Sequence, residues 1–230
     1  MDAWTTNTVQ TADRVTAFLW KVYGWMAVGL GLTAIVAFAV VGSPDLLRVL
    51  IGNRLVFFAL VIVELGLVFF LSARADRLAP GTAAGLFALY SALNGVTLSV
   101  ILLAYTGESV TMTFVVTAGM FGALALFGST TKRSLAGAGQ FFMMGLVGLI
   151  LASILGMFWH SDALQFLISV VGVIVFTGLT TWDAQRLKQM ALALPAGQVG
   201  AYAVVGALSL YLDFINLFLM LLRFTGSRRE

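Results

Sequence analysis

The 230-residue sequence contains no cysteine, a single histidine and only three prolines. A disulfide framework is therefore excluded, and so is a zinc site built on cysteines or on a pair of histidines. Charged residues are also scarce, at 10% of the chain against roughly 25% in a soluble globular protein. Hydrophobic residues make up 60%, which is too many for a disordered chain. The composition indicates a protein whose solvent is a lipid bilayer.

The basic residues of the chain do not indicate a nucleic-acid partner. The 13 Lys and Arg residues give a formal net charge of +3, but they are scattered along the sequence and form no dense patch. The sequence also lacks a glycine-rich phosphate loop with a lysine, and no motif in it points to catalysis. We therefore expect no nucleic acid, no cofactor and no enzymatic activity.

Seven apolar segments are long enough to cross a bilayer, since about 20 helical residues span roughly 30 Å of hydrocarbon. Short breaks with turn and helix-stop residues separate them, and they do not alternate as barrel strands would. The sequence predicts an all-α, polytopic membrane protein: a polar N-terminal tail (1–17), a seven-transmembrane-helix bundle (18–222) and a short basic C-terminal tail (223–230). The predicted spans are 18–41, 55–72, 81–104, 111–128, 139–159, 163–182 and 202–222.

The 24 glycines serve close packing between such helices, because lipid tails leave little hydrophobic drive for helix association. Gly81 and Gly85 form a GxxxG pair in the third span. Gly148, Ala152 and Gly156 form a stripe of small residues in the fifth. Packing within the chain is one interpretation of these patterns, and dimerisation is the other.

Two acidic residues lie within predicted spans, Glu64 in the second and Asp213 in the seventh. Asp183 follows the sixth span and reaches the level of Asp213 if that helix continues to about Met190. A charge at the bilayer centre costs about 2.5–3.5 kcal/mol on insertion scales unless it faces a partner or a water-filled cavity. These residues are therefore candidate ion- or proton-binding groups.

The seventh span carries a mainly polar stripe on one helical face. Its members recur at intervals of three and four residues: Gly206, Ser209, Asp213, Asn216, Met220 and Arg223. Because polar groups are unfavourable against lipid, this face is expected to turn toward protein, which places the last helix at the centre of the bundle. The stripe has two interpretations. It is an ion- or proton-handling face in which Ser209 and Asn216 support Asp213, or a hydrogen-bonded seam that fixes helix register.

Residues 207–218, ALSLYLDFINLF, followed by Leu221-Leu222-Arg223, resemble the signature of the transmembrane Bax inhibitor motif family, which is Bax inhibitor-1-like. The seven-span hydropathy, the Glu in the second span and the sequence Trp182-Asp183-Ala184-Gln185 extend the resemblance over nearly the whole chain. The resemblance implies a seven-helix bundle with the last helix surrounded by the other six. For a bacterial member it also implies a pH-sensitive calcium leak channel.

The resemblance further implies that Asp183 and Asp213 form a paired-carboxylate gate, with an arginine near the inner end of the second span as counter-charge. Arg74 fits that position, and an offset of one residue favours Arg77 instead. Two carboxylates held close together in a poorly hydrated site titrate as one unit. When deprotonated, the pair offers the oxygen ligands that Ca²⁺ requires, together with Glu64 or backbone carbonyls. Ca²⁺ is thus expected as the transported ion, and protons as the controlling ligand.

Glu64 has two open roles. It lines the pore as a second acidic site, or it stays protonated and hydrogen-bonded to Asn94, to Ser91 or to a backbone carbonyl. The residues alone do not separate these roles, because both place a carboxyl group among polar neighbours of the third span.

Two functions of other classes also fit parts of the sequence. The resemblance permits a membrane interaction protein that regulates a membrane protease or a cell-death pathway. Residues 1–17 would then be the segment that binds a membrane-protein partner. An intramembrane aspartyl protease would need two aspartates on its sixth and seventh helices, one as general base and one as acid. However, the glycine-rich context that such enzymes show is absent from Tyr211-Leu212-Asp213-Phe214, and no Pro-Ala-Leu segment occurs in the last spans.

The distribution of Lys and Arg predicts a cytoplasmic N-terminus and an external C-terminus, because cytoplasmic loops are enriched in these residues. Eight fall on the N-terminal side of the membrane and five on the other side. The short tails favour a bacterial inner membrane. We expect alkaline phosphatase fused after Glu230 to be active and a fluorescent protein fused there to be dark. The reverse result would contradict seven spans with the N-terminus inside.

Overall fold

The computed structural model describes residues 3–159, 161–194 and 199–229. These residues form helices and no strand, with one isolated antiparallel bridge between Tyr105 and Arg228. The helices are α1 (Ala3–Val41), α2 (Pro44–Gly52), α3 (Arg54–Ala73), α4 (Pro80–Leu102), α5 (Gly107–Thr130), α6 (Ala136–Phe158), α7 (Asp162–Ala193) and α8 (Val199–Thr225). The all-α prediction is confirmed.

Seven of these helices, all except α2, are long and apolar enough to cross a membrane. In α1 the span is Asp13–Val41, and in the others it is the whole helix. Two of them begin at side-chain caps: Asn53 accepts from the first amides of α3, and Thr106 accepts from Ser109 at the start of α5. The predicted number of spans is confirmed.

Helices extend more than four residues beyond the predicted spans at three places. α1 begins at Ala3, so the described part of the polar N-terminal segment is helical. α2 forms where the sequence predicted only a break, because Pro44 suits a first helical turn and Asp45 complements the helix dipole there. α7 continues to Ala193 because residues 183–193 are mostly good helix formers although they are less apolar. Hydropathy located the start of α7 but not its end.

The chain divides into two compact units. The first comprises Met1–Ala104 and Gln189–Tyr211, and the second comprises Tyr105–Lys188 and Leu212–Glu230. In the first unit α4 packs against α1 and α3, with Phe87 and Tyr90 edge-on to the buried ring of Tyr211. A Cβ at Gly95 would lie 2.6 Å from the carbonyl oxygen of Thr33, so α4 approaches α1 too closely there for any side chain.

The second unit has an apolar core in which α6, α7 and α8 meet. Its buried members are Leu149, Ile168, Val175, Phe176, Leu179, Leu217 and Met220. Close backbone approach recurs here, since a Cβ at Gly128 of α5 would overlap the carbonyl of Thr181 on α7.

Most of the glycines that the sequence patterns singled out are not in close contact. A Cβ at Gly81, Gly85 or Gly148 would meet no atom within 4 Å among the described residues. In the predicted stripe, a Cβ at Gly156 would lie 3.0 Å from the Gln165 amide nitrogen, and Ala152 packs against the apolar core of the second unit. GxxxG spacing identifies a small-residue face, but which face meets another helix depends on tertiary register.

α8 is the most buried of the seven spans, with 67% of its apolar window buried against 44% or less for the others. This burial explains how a helix with a polar stripe is tolerated, since a buried helix exposes little of its surface to lipid. The central position predicted for α8 in the bundle stays a prediction.

We expect Gly128→Ala to destabilise the protein by about 1–3 kcal/mol, the usual cost of overpacking. The added Cβ would lie 2.9 Å from the Thr181 carbonyl carbon, and a backbone atom cannot rotate away. Thermal unfolding in detergent measures the effect. Gly122→Ala in the same helix is the matched control, because its Cβ would enter open space. Equal melting temperatures for the two variants would contradict the close approach of α5 and α7.

Candidate functional site

Asp183 and Asp213 lie together within the second unit, on α7 and α8. Both residues are buried, at 9% and 6% exposure. The two carboxylates are close enough to repel each other electrostatically, and Arg186 is close enough to attract Asp213. The sequence placed Asp183 at the level of Asp213 only if its helix continued to about Met190, and α7 runs to Ala193. Oδ2 of Asp213 is buried and has no hydrogen-bond partner among the described residues.

Arg186 provides the positive charge at this site. Its Nη1 lies 3.4 Å from Oδ1 of Asp183, one helical turn away on α7, and its guanidinium stacks 5.3 Å above the Trp182 ring. The Arg186 side chain is 45% exposed, whereas that of Asp183 is 12% exposed. Sequence reasoning missed this pairing because the predicted span ended at Trp182, which left Arg186 in a loop. The i, i+3 spacing was the signal that a longer helix would have revealed.

The two arginines that the resemblance suggested as counter-charges lie in the first unit. Arg74 caps the end of α3, and its guanidinium lies 5.2 Å from the centre of the Phe70 ring. Arg77 pairs with Asp76 at 3.6 Å, and both side chains are largely exposed. The role of either arginine toward the aspartate pair stays a prediction.

Glu64 lies in the first unit and receives two hydrogen bonds from α4. The Thr97 hydroxyl donates to Oε1 at 2.5 Å, and the Asn94 amide donates to Oε2 at 3.3 Å. Glu64 is buried, at 7% exposure. The expected bond to Asn94 is present, and Thr97 is a partner that sequence reasoning missed. A hydroxyl can donate to an ionised carboxylate or accept from a protonated one, so Thr97 serves both states of Glu64.

The hydrogen bonds continue from Asn94 to two further helices of the first unit. The Tyr211 hydroxyl of α8 donates to Asn94 Oδ1 at 2.9 Å, and Thr33 Oγ1 of α1 lies 2.6 Å from the same hydroxyl. Ser91, an expected partner of Glu64, instead donates to the carbonyl of Phe87. Sequence reasoning missed Tyr211 because it lies off the polar stripe of α8, and only tertiary packing reveals its partner.

The supporting residues of the stripe have local roles in the structure. Asn216 donates to the carbonyl of Leu212 in its own helix at 2.8 Å, and Ser209 is half-buried. Their support of Asp213 stays a prediction. Within the described residues, no three Asp, Glu or His side chains are grouped so that they could hold a metal ion. The aspartate pair belongs to the second unit and Glu64 to the first.

Known proteins resemble the chain over nearly its whole length. The family model described as Inhibitor of apoptosis-promoting Bax1 matches residues 15–230. Inner membrane protein YbhL of Escherichia coli (strain K12) is 48% identical over 224 residues, which cover 96% of each chain. An uncharacterized protein of Borreliella burgdorferi is 44% identical over 215 residues, 93% of each chain. An uncharacterized membrane protein of Streptococcus pyogenes serotype M1 is 39% identical over 212 residues, 91% of this chain and 92% of the relative.

These matches agree with the resemblance that residues 207–223 carry and with the seven apolar helices. The matched region contains the carboxylates of both sites described above, so the family covers the whole helical part of the chain that follows residue 14. The chain belongs to the Bax inhibitor-1 family of membrane proteins.

Proposed function

We propose that this protein is a pH-sensitive calcium leak channel of a bacterial inner membrane, with Asp183 and Asp213 as its gate. The observation that carries the proposal is the buried pair of carboxylates on α7 and α8. Membrane-spanning helices rarely hold such groups, and those that do commonly use them in ion pathways or proton relays. The bacterial inner membrane is proposed from the printed name of the Escherichia coli relative.

Protons and Ca²⁺ compete for the same oxygens in this proposal. Two ionised carboxylates in a poorly hydrated site repel each other, so the pair is favoured when it holds a proton or a cation between them. Ca²⁺ takes six to eight oxygen ligands, and waters supply those that the protein does not. Oδ2 of Asp213 is the acceptor best suited to the ion, because no described residue donates to it.

Arg186 sets the charge of the pair in this scheme. While it is bonded to Asp183, it offsets one of the two negative charges and reduces the attraction of the site for a cation. An ion pair with such an exposed partner contributes only about 0–1 kcal/mol, so it breaks easily. Release of Arg186 toward solvent exposes both carboxylates to the passing ion and opens the path.

Glu64 is the second acidic site of the proposal. Two neutral donors hold both of its oxygens, which keeps the carboxylate in one orientation without a compensating positive charge. A carboxylate held in this way remains attractive to a cation. Thr97 and Asn94 thus act as positioning residues for Glu64, and Tyr211 positions Asn94 in turn.

We expect Asp213→Asn to flatten the pH dependence of Ca²⁺ flux in proteoliposomes, because the amide keeps the shape of the side chain but cannot exchange a proton. The signal of a Ca²⁺-sensitive dye, recorded across a pH series, measures this dependence. Asp45→Asn is the matched control, since Asp45 is exposed and pairs with Arg48 at the surface. An unchanged pH profile in Asp213→Asn would remove the proposed gate.

We expect Arg186→Gln to shift the midpoint of the flux–pH profile to higher pH, since loss of a nearby positive charge favours the protonated pair. Arg186 is half exposed, so solvent screening keeps the shift to about one pH unit or less. Arg74→Gln is measured beside it and should leave the midpoint in place. A shift in Arg74→Gln alone would transfer the counter-charge to Arg74 and contradict its assignment to Arg186.

A further inference from the structure

An open groove runs along the surface of the second unit where α5, α6 and α7 meet. Its volume is about 470 Å³, within the range of roughly 300–1,000 Å³ that small-molecule sites occupy. Its walls include Met120 of α5, Phe142 of α6 and Ile174 of α7, and its hydroxyl groups are those of Thr177 and Thr181. The groove is thus almost wholly apolar, as the surroundings of a hydrocarbon chain would be.

Two aromatic rings of the groove wall pack against glycines. A Cβ at Gly178 would overlap the ring of Phe142, and a Cβ at Gly139 would overlap the ring of Trp182. Both rings therefore lie directly against the helix backbone. The Thr177 hydroxyl oxygen, in the groove wall, is buried without a hydrogen-bond partner among the described residues.

One end of the groove carries positive charge. Leu135 and Trp182 line the groove there, Lys132 and Arg133 are exposed just before Leu135, and Arg186 stacks on Trp182. Asp183 is the acidic residue bonded at this end, through its contact with Arg186.

The loop that carries these basic residues is fixed to α7. The buried amide of Gln185 donates to the carbonyl of Arg133 at 2.8 Å and accepts from the amide of Leu135 at 2.8 Å. Lys188 donates to the carbonyl of Ser129 at 2.8 Å. The basic end is therefore part of the fold and keeps its place beside the groove.

We propose that this groove binds an acyl chain of an anionic phospholipid of the surrounding bilayer, whose phosphate contacts Lys132, Arg133 and Arg186. The apolar walls suit the chain, and the guanidinium groups suit a phosphate through paired N–H donors. The predicted orientation places this end at the cytoplasmic leaflet, where anionic headgroups attract basic side chains. A zwitterionic lipid has the same acyl chain but no net negative charge, so it serves as the comparison.

The bound lipid also acts on the aspartate pair, and this step rests on the proposed function. Arg186 is bonded to Asp183 by one contact of 3.4 Å and is half exposed on its other side. A phosphate at the groove end competes with Asp183 for the same guanidinium. Anionic lipid therefore draws the counter-charge away from the pair, as release of Arg186 does in the gating scheme.

Trp182 in the groove wall serves as the probe. In a variant with Trp4, Trp20, Trp25 and Trp159 changed to Phe, Trp182 is the sole tryptophan. We expect quenching by phosphatidylglycerol with brominated chains to be at least about twofold stronger than by brominated phosphatidylcholine, because headgroup charge draws the lipid to the basic end. Lys132→Gln with Arg133→Gln should reduce the difference, since Arg186 alone then remains to contact the phosphate. Equal quenching by both lipids, or a difference that this double change leaves undiminished, overturns the site.

Two further variants separate groove occupancy from folding. Ala138→Phe fills the groove and should remove the preference for phosphatidylglycerol, since Ala138 is part of its lining. Val147→Phe adds the same bulk at an exposed position of α6 outside the lining and should keep the preference. A preference retained in Ala138→Phe overturns the site.

The lipid site and its effect on the gate have different readouts. Fluorescence decides the site whatever Ca²⁺ flux shows, so failure of the channel proposal does not remove it. The effect on the gate is tested by the flux–pH midpoint in phosphatidylglycerol and phosphatidylcholine liposomes. We expect the midpoints in the two lipids to differ more for the unmodified protein than for Arg186→Gln. In that variant the lipids act on the midpoint only through the surface potential of the membrane. An equal difference in both proteins overturns the competition for Arg186.

Discussion

The structure depends on how carboxyl groups are accommodated in helices that cross lipid, where water is not at hand to solvate them. Two neutral groups donate hydrogen bonds to Glu64, and the guanidinium of Arg186 lies beside Asp183. Asp213 shares its site with a second carboxylate, and one of its oxygens has no donor among the described residues. In the first two arrangements a donor or a cation lies beside the carboxylate. In the third, Oδ2 of Asp213 has none among the described residues, and this difference is the reason that the proposed gate is the pair and not Glu64.

The sequence predicted the number of spans and placed Glu64 and Asp213 within apolar helices, because both follow from where polar groups interrupt apolar runs. It did not predict α2, the length of α7 or the pairing of Arg186 with Asp183. Hydropathy measures contact with lipid, whereas helix ends depend on caps and on the propensity of residues that have already left the lipid. Thr97 and Tyr211 were missed for a different reason. A hydroxyl group within a span can bond to its own helix, so the sequence alone does not reveal a partner on another helix. That partner depends on the register between the two helices.

Glycine has two packing roles in the molecule. Gly95 and Gly128 allow backbones to approach, whereas Gly139 and Gly178 make room for aromatic rings. Neither role could be assigned from spacing, since Gly81 and Gly85 have the standard spacing and a Cβ at either would meet no atom within 4 Å among the described residues. Packing of this kind is decided by which residues face each other across two helices.

The hydrogen-bond chain from Thr33 to Glu64 passes through four helices of the first unit. In the second unit, Thr117 and Thr180 return their hydroxyls to their own helices, and apolar side chains make the core. Tolerance to substitution should differ accordingly along the sequence. Exchanges that preserve size but remove a polar atom would be selected against in the first unit, whereas in the core of the second unit the volume of the side chain would be the heritable constraint.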